Sequence, residues 1–510
     1  MIEKYYDGAI EQVAAGLGTV EKNHLLVRYS GQFSVENLND TKQLEKNEDI
    51  FVQVHEFETG EITCAYEPYL TMICDGFRRY MTGTFEEFME TCDVYYLHRP
   101  VLLGYFNQDN TGREEIILLD EVAYEQERML AALERMLCAI ADRHPVLFVL
   151  NRFQLASKST MQLTARFLKC ENCNIGLVLG VSDIQAMPEF LVPDWEMLYE
   201  TLDDGSKIYH IGNSGRKKEE TIDDEKYVDY GSEKVYRKLQ NMVEFLDFDQ
   251  AAYYLETIDR KIKFDNLLVD DAARFRMWLL FVKVSILRQD IPKALEICED
   301  LEKIHLAGKE EECAYEQDYL IATAYMYQGK LKEALEMAGE TYRIAGKMSD
   351  DYRMFLSELL EAKIQMSGWY NIFFCAQDVK IKESLIQNLI RYNYRNHLAH
   401  VYIYAYDNKP EIVKKANQSE EFLIYFSRGI RIAKKLGNEY LINMAYQKNI
   451  MLSSTNGMYE ISLLYSVRTY EALKDKRSIQ AGRIYSGIAY NLCAIGENER
   501  AMAYYRHAIR

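Results

Sequence analysis

The feature that most constrains the fold is a spacing of small and large residues near the end of the chain. Relative to Ala501, Gly496 lies five residues before and Ala489 twelve before, while Ile488 and Tyr485 lie thirteen and sixteen before. Small residues at such positions let two antiparallel helices approach closely, and the large residues fill the space between them. The spacing therefore predicts a helical hairpin.

The same spacing recurs toward the N-terminus with a nearly constant period. The positions equivalent to Ala501 are Ser462, Phe373, Ala334 and Ala294, and three of the four intervals between these neighbours are 39 or 40 residues. The interval from 373 to 462 is 89 residues, which leaves room for two units, including a divergent helix pair at about 385–407 and 419–435. An earlier candidate, Phe248 with Ala251, lies 43 residues before Ala294.

This pattern resembles the tetratricopeptide repeat, whose minimal unit has about 34 residues. Extra helical turns account for the longer period. The resemblance implies an all-α superhelical array of six or seven hairpins over residues 234–510, of a kind that holds a protein, a peptide or a small effector in a groove. The alternative is an irregular helical bundle without register.

Composition and charge narrow the possible functions. A chain of 510 residues is too long for one core, so two to four domains are expected. A net charge of −19 argues against non-specific binding to nucleic acid or anionic lipid. The sequence has no apolar run of about 18 residues and no apolar signal segment at its N-terminus, and its ten cysteines are scattered. We therefore expect a cytoplasmic protein with reduced thiols, no membrane span and no direct contact with nucleic acid.

The first 212 residues alternate between strand-like and helix-like patterns. Short apolar runs predict strands at 24–31, 49–58, 101–107, 145–151 and 174–182, and apolar residues at helical spacing predict a helix over 120–143. Such alternation is typical of a parallel sheet covered on both faces. A charged segment, 213–233, predicts a linker to the repeat array.

The order of these elements resembles the nucleotide-binding domain of STAND-type P-loop ATPases, signalling proteins that in bacteria often precede tetratricopeptide arrays. The local matches are the strings 66–74, 144–158 and 174–183. In that family, the second string is a Walker B strand and the third is the sensor strand. The resemblance implies a P-loop-like α/β domain with a signalling ancestry.

The chemistry departs from that family at three places. After the first strand, Gly31 is followed by Gln32 and then by neither the lysine nor the Ser/Thr of a P-loop. Asn151 and Arg152 stand where two carboxylates are expected, and the sensor strand ends in Ser182-Asp183 rather than an arginine. If nucleotide binding survives, Gly31, Gln32, Asn151 and Arg152 would form the site. We expect no hydrolysis, because an amide and a guanidinium cannot hold Mg²⁺ or activate water.

Other residue groups are weak candidates for chemistry. Cys170 and Cys173 form a lone C-x-x-C motif without further ligands, so two free thiols are the simpler interpretation and a metal or redox site the alternative. His397 and His400, one turn apart, indicate packing on one helix. Asp247 and Asp249 are interpreted as solvated surface. We therefore predict no catalytic residues, no metal and no cofactor.

Aromatic and basic residues after position 390 are candidates for a binding groove. Aromatics at helical spacing mostly pack between helices, but some in a repeat array line the groove instead. The candidates are Arg391, Tyr392, Tyr394, Arg395, Asn396 and His397.

The sequence as a whole predicts a non-catalytic regulatory or scaffold protein, in a signalling or transcriptional context, that binds its partner on the repeat array. The alternative is a nucleotide-regulated STAND ATPase switch with an unorthodox ATP site. A third possibility is a hydrolase or transferase within the α/β domain, which no nucleophile–base set supports. Because the chain ends inside the second helix of a unit, we also expect self-association there or an output domain beyond it.

Overall fold

The computed structural model describes most of the chain, apart from several loops and short segments. The described residues are 2–18, 24–29, 50–58, 61–95, 98–108, 122–170, 174–182, 187–203, 207–211, 229–265, 267–367, 382–404, 420–436, 441–442, 445–446, 450, 454, 457–472 and 479–509. The chain divides into two compact units, Met1–Thr111 with Glu125–Val284, and Gly112–Tyr124 with Ser285–Arg510.

A five-stranded sheet forms the centre of the first unit. Its strands are β1 (His24–Tyr29), β2 (Phe51–Glu56), β3 (Val146–Asn151), β4 (Ile175–Ser182) and β5 (Lys207–Ile211). The order across the sheet is β2-β3-β4-β1-β5, and every neighbouring pair is parallel. All residues of β3 and β4 are buried, as expected for central strands covered on both faces. The predicted parallel α/β domain is therefore confirmed.

Two details of the strand prediction are wrong. The run at 101–107 is part of a helix, Arg99–Asn107, with Pro100 in its first turn. A short apolar run does not by itself distinguish helix from strand, whereas a proline at a helix start is favourable. The missed strand is β5, an edge strand whose alternating Lys-Ile-Tyr-His-Ile sequence contains too few consecutive apolar residues to stand out.

Helices cover both faces of the sheet. On one face, Ile10 and Val13 of the first helix pack against the core residues of β1, β3 and β4, and a Cβ on Gly176 of β4 would approach Val13 Cγ1 to 2.6 Å. On the other face, the ring of Phe148 lies 4.7 Å from that of Tyr69. The helices of this part are α1 (Ile2–Gly16), α2 (Tyr69–Tyr80), α3 (Phe85–Thr91), α4 (Arg99–Asn107), α5 (Val122–Ala141), α6 (Lys158–Lys169) and α7 (Val192–Asp203).

The first compact unit is longer than the predicted α/β domain of residues 1–212. It also includes α8 (Glu233–Glu244), α9 (Phe248–Phe264) and most of α10 (Asp271–Leu287). The ring of Phe245, between α8 and α9, lies 6.3 Å from that of Tyr66 and 5.6 Å from that of Tyr105. Residues that the sequence assigned to the repeat array thus complete the core of the sheet domain. The charged segment 213–228 lies outside the described residues.

The second unit is all-α in its described residues. Its helices are α11 (Ile291–Leu301), α12 (Glu310–Gln328), α13 (Leu331–Lys347), α14 (Asp351–Ser367), α15 (Glu383–Arg391), α16 (Arg395–Tyr404), α17 (Glu420–Lys435), α18 (Tyr459–Ala472), α19 (Ile479–Ala494) and α20 (Asn498–Ile509). Each packs mainly on its neighbours along the chain, as in helical repeat arrays. Within the described ranges, no helix is both long and apolar enough to cross a membrane.

The small residues that defined the repeat all lie at helix crossings. Ala294, Ala334, Ser462 and Ala501 are fully buried, as is Ala251 in the first unit. Each follows, by five residues, a residue with positive φ: Gln289, Gly329, Gly457, Gly496 and Leu246. The prediction of a register, rather than an irregular bundle, is confirmed for these positions, whereas Phe373 lies outside the described residues.

One turn geometry recurs along the helices. After a residue in the left-handed conformation, the next N–H donates to the carbonyl five residues earlier, over 2.8 to 3.1 Å, which is the Schellman helix ending. Among the described residues, seven turns have this ending: one at Asp93 in the sheet domain, and six from α8 onward at Leu246, Gln289, Gly329, Ser349, Asn393 and Gly496. The turn at Asn393 divides the predicted helix 385–407 into α15 and α16. Asparagine tolerates the left-handed conformation, so no glycine marks this turn. Because the apolar periodicity also continues across residue 393, the sequence gives no sign of the break.

Candidate functional site

A ligand of this fold would bind at the carboxyl ends of the parallel strands, which we call the carboxyl edge of the sheet. From β1 the chain runs toward the β2 edge of the sheet, while from β4 it crosses β1 to reach β5. The connections from two adjacent strands, β1 and β4, therefore leave in opposite directions. In open α/β sheets, such a switch point forms the crevice in which ligands bind.

Two buried polar side chains meet at this edge. The Tyr29 hydroxyl, at the end of β1, donates to Asn151 Oδ1, at the end of β3, over 2.7 Å. Both side chains are almost wholly buried. Burial raises the pKa of Tyr29 to about 12, an effect opposed by Arg152 and Asn151 and reinforced by Glu56. Tyr29 is thus a neutral hydrogen-bond donor at ordinary pH and holds the side chain of Asn151 in place.

The next residue, Arg152, forms an ion pair with β2. Its backbone is left-handed, with φ of 53°, and its Nη2 lies 3.3 Å from Glu56 Oε1. The Arg152 side chain is 25% exposed and that of Glu56 is 17% exposed. The position expected to carry a second carboxylate therefore carries a cation, whose charge Glu56 balances.

The short turn after β3 connects this edge to β4. The backbone N–H of Ser182, the last residue of β4, donates to Gln154 Oε1 over 3.3 Å, and Gln154 is buried. The amide of Gln154 thereby holds the turn against the end of β4. Tyr29, Glu56, Asn151, Arg152 and Gln154 together make an edge of hydrogen-bonded neutral groups and one ion pair. Such an edge can hold a polar ligand but offers no carboxylate free for base or metal chemistry within the described residues.

The N-terminus of α6, which follows this turn, is occupied by side chains. The N–H of Lys158 donates to Gln250 Oε1 over 3.2 Å, that of Ser159 to Asp247 Oδ2 over 3.1 Å, and that of Thr160 to Ser157 Oγ over 3.2 Å. A helix N-terminus attracts anions through its unpaired N–H groups and its dipole. Here Asp247 supplies the carboxylate, while Gln250 of α9 and the cap residue Ser157 supply the other two acceptors.

Asp247 corrects a prediction from the sequence. It was interpreted as solvated surface, but it is 4% exposed and packs on α6. Burial raises the pKa of Asp247, against the opposing effect of its hydrogen bonds with Ser159. Its neighbour Asp249 is partly exposed and pairs with Lys158. A short polar string between two helices gives no sign of which carboxylate turns inward.

Of the four residues predicted for a degenerate nucleotide site, two can be placed. Asn151 and Arg152 lie at the carboxyl edge, at the end of β3, the strand resembling Walker B. Gly31 and Gln32 lie outside the described residues. Tyr29 and Glu56 were not predicted as site residues: each lies near the end of a predicted strand, but neither stands at a position of a nucleotide-binding motif.

The six predicted groove residues divide into two sets around the turn between α15 and α16. Tyr394 and His397 are 3% and 1% exposed, and the ring of Tyr394 lies 5.2 Å from that of Phe355. The other four are partly or fully accessible: Arg391, Tyr392, Arg395 and Asn396. Tyr394 and His397 thus occupy the interior, where a partner does not reach them.

The predicted C-x-x-C pair is only partly described. Cys170 Sγ lies 3.5 Å from Cys138 Sγ at the end of α5, a distance of contact without a bond, and Cys173 lies outside the described residues. Among the described residues, no group of three His, Cys, Asp or Glu side chains is arranged to hold a metal ion.

No protein-family model matches this chain, and no curated protein matches it. A solved structure similar over 96% of this chain and 87% of its own is the STAND protein with a tetratricopeptide sensor, PH0952, from Pyrococcus horikoshii, with 11% identity and a TM-score of 0.45. NprR in complex with its cognate peptide NprX has 14% identity and a TM-score of 0.39 over 56% of this chain and 79% of its own.

The apo form of the quorum sensor NprR from B. thuringiensis has 12% identity and a TM-score of 0.35 over 54% of this chain and 74% of its own. The two classes named by the sequence resemblance, STAND proteins and tetratricopeptide sensors, are thus both among the similar structures. Likeness at this level assigns neither a family nor a function.

Proposed function

We propose that this chain is a non-catalytic regulator that binds a protein, a peptide or a small effector on its helical hairpins, with the sheet domain serving as a scaffold. One observation carries the proposal: the polar groups at the carboxyl edge of the sheet already hold one another. Tyr29 holds Asn151, Glu56 neutralises Arg152, and Asp247 caps the helix that follows.

The chemistry of these groups supports a scaffold role. Hydrolysis of a phosphoanhydride needs a group that orients or deprotonates water and a ligand for Mg²⁺. The amide of Asn151 is a poor base and a weak ligand. The carboxylate of Glu56 already forms an ion pair with Arg152. Neither residue performs the required steps as placed.

The helical hairpins supply the surface for recognition. Stacked hairpins expose an extended face, and binding there needs no reactive group. The accessible candidates are Arg391, Tyr392, Arg395 and Asn396, while Tyr394 and His397 support the turn from inside. NprR in complex with its peptide is one similar structure, but the proposal rests on the geometry of this chain alone.

The scaffold role is tested by thermal unfolding of the full chain with ATP, with ADP and with either nucleotide plus Mg²⁺. A ligand that binds only the folded state raises Tm. At a free ligand concentration of one hundred times Kd, it stabilises the folded state by about 2.7 kcal/mol. We expect Tm to be unchanged. A rise in Tm would contradict the proposal and favour the nucleotide-regulated switch.

One observation favours that alternative, namely the 25% exposed Arg152 side chain at the switch point of the sheet. A phosphate group would compete with Glu56 for it. If nucleotide raises Tm in the parent chain, Arg152→Ala should abolish the rise, whereas Arg237→Ala, at an exposed position on α8, should leave it intact.

Partner binding is tested by selecting from a library of random twelve-residue peptides on the immobilised full chain. We expect a family of related sequences to be enriched and to bind in solution. Failure to enrich any sequence over bare support would contradict a peptide-binding role. The full chain is required, because a fragment starting at residue 234 would separate α8 and α9 from the unit to which they belong.

A further inference from the structure

One face of α17 concentrates positive charge in a strongly acidic protein. Arg428, Arg431, Lys434 and Lys435 are exposed, and the chain as a whole has a net charge of −19. Residues three and four apart on a helix lie side by side. From Arg428 to Lys435 these positive charges extend over about 10 Å along the helix axis. We call Arg431, Lys434 and Lys435 the basic row.

The opposite face of α17 is buried against α16. A Cβ on Gly429 would approach Ile403 Cγ1 to 2.8 Å and the Ala399 carbonyl oxygen to 3.0 Å, so the two backbones are nearly in contact. Ala433, one turn further, is fully buried in the same core. This packing fixes the rotation of α17 and leaves the basic row directed away from α16.

Within the described residues the three cations of the basic row form no ion pair, unlike Arg353 and Lys382 of the same unit. Arg353 pairs with Glu316 and Asp350, and Lys382 with Glu358 and Glu361. Across the residues that the structure describes, no carboxylate lies within ion-pair distance of Arg431, Lys434 or Lys435. Three like charges within little more than one helical turn repel one another and are destabilising without an anion.

A shallow cavity of about 450 Å³ lies along the basic row and is lined by Ser427, Ile430, Arg431, Lys434 and Lys435. Ile430 is partly buried and presents an apolar contact beside the charges. Ser427 adds a hydroxyl that donates or accepts a hydrogen bond. The surface therefore combines cations, one aliphatic side chain and one hydroxyl, a set that fits a short acidic segment with an apolar residue.

We propose that the basic row binds an acidic peptide segment of the partner, with Ile430 in contact with an apolar residue of that segment. The assignment rests on the proposed function and names the chemistry of the partner. A short peptide meets the basic row alone, whereas a long nucleic acid or an anionic bilayer would also face the negative charge of the rest of the chain. Charge complementarity thus favours a peptide.

The peptide selection described above tests this inference separately from the proposed function. We expect the enriched sequences to be rich in Asp and Glu around one aliphatic residue. Enrichment of sequences without acidic residues would leave the binding function in place and overturn the assignment to the basic row.

A labelled enriched peptide then distinguishes the basic row from general charge attraction. The variant Arg431→Gln/Lys434→Gln/Lys435→Gln should weaken binding about tenfold, with an affinity that depends less on salt. The matched control, Lys332→Gln/Lys347→Gln/Arg506→Gln, removes the same charge from exposed positions on other helices and should bind like the parent. Equal affinity of the first variant and the parent, or equal loss in both variants, overturns the proposal.

Charge reversal keeps the test decisive if the neutral variant unfolds. Arg431→Glu/Lys434→Glu/Lys435→Glu should reject the acidic peptide and bind its counterpart in which Lys replaces each Glu. Vesicles of phosphatidylserine and phosphatidylcholine and a single-stranded oligonucleotide are tested in parallel. Tight binding of either one by the parent, lost in the neutral variant, would assign the basic row to that polyanion instead and overturn the peptide proposal.

Discussion

Single residues decide what the carboxyl edge of the sheet can do. Asn151 and Arg152 place an amide and a guanidinium at the end of β3, where they form a hydrogen bond and an ion pair within the protein. Tyr29 completes this arrangement, because its hydroxyl donates to Asn151 from the neighbouring part of the sheet. The sequence shows that Asn151 and Arg152 are not carboxylates, whereas their partners Tyr29 and Glu56 are set by the folded chain.

The Tyr29–Asn151 hydrogen bond should contribute measurably to stability. Tyr29→Phe removes the donor with little change of shape, and we expect the free energy of unfolding to fall by about 1–2 kcal/mol. Differential scanning calorimetry of the full chain measures the loss. Tyr199→Phe, on a helix at the same sheet domain and only partly buried, serves as the control and should change Tm much less. Equal Tm values for Tyr29→Phe and the parent would show that the hydroxyl is not stabilising.

Asp318 on α12 should make the protein less stable as pH rises. Burial, and then the charges of Glu340 and Glu302, raise its pKa from 3.8 to about 6. The unfolded state therefore loses this proton first, and stability declines as pH rises from about 4 to about 6. Asp318→Asn should stabilise the chain by about 1 kcal/mol at pH 7, after allowance for solvent screening, and by much less at pH 4.

Thermal unfolding of Asp318→Asn and the parent at both pH values measures this difference. Glu311→Gln, at an exposed position of the same helix, controls for the loss of one negative charge. A stabilisation by Asp318→Asn that is the same at pH 4 and pH 7 would contradict the assignment.

At the scale of elements, the turns between helices impose the regularity of the array. Six of them share the Schellman hydrogen bond after a left-handed residue. Only two of those six residues, Gly329 and Gly496, are glycine, so a search for glycine finds the geometry in part. A buried alanine follows five positions later in four of the six turns, so it is the more constant signal, because small residues let the two helices approach closely.

Gln289 and Gly329 occupy equivalent positions in two turns, and substitutions there should change stability in opposite directions. Gln289 is exposed and has φ of 63°, which costs a non-glycine residue about 1 kcal/mol, so Gln289→Gly should stabilise the second unit by up to that amount. Gly329 has φ of 78° and open space where a Cβ would lie, so Gly329→Ala should destabilise by about 1 kcal/mol through the backbone alone. Chemical denaturation gives both values. Changes of the same sign in the two variants would contradict the turn geometry.

At the scale of the whole molecule, the compact units do not follow the boundary that the sequence predicts. The first helical hairpin belongs to the sheet domain, because Asp247 and Gln250 satisfy the N-terminus of α6 and Phe245 fills a place between Tyr66 and Tyr105. The change in composition at 213–233 predicts a linker, but composition does not reveal which elements the residues after it pack against.

Asp247 should be far more important to this unit than its neighbour Asp249. Asp247→Ala leaves the Ser159 N–H without its buried acceptor, and we expect a loss of about 1–3 kcal/mol. Asp249→Ala removes a partly exposed ion pair with Lys158 and should cost at most about 1 kcal/mol. Calorimetry of the two variants in the full chain compares them directly. Similar losses would mean that the cap on α6 does not hold the hairpin to the sheet domain.

The sequence by itself determined the fold class, the parallel α/β domain, the register of the helical repeats and the residue types at the positions that resemble nucleotide-binding motifs. These follow from local periodicity, from small residues at fixed spacing and from the identity of motif positions. Tertiary structure alone decided that 99–107 is a helix, that β5 completes the sheet, that Asp247 turns inward and that the first hairpin joins the sheet domain. Each of these depends on which surface a segment buries, and burial is a property of contacts between residues distant in the chain.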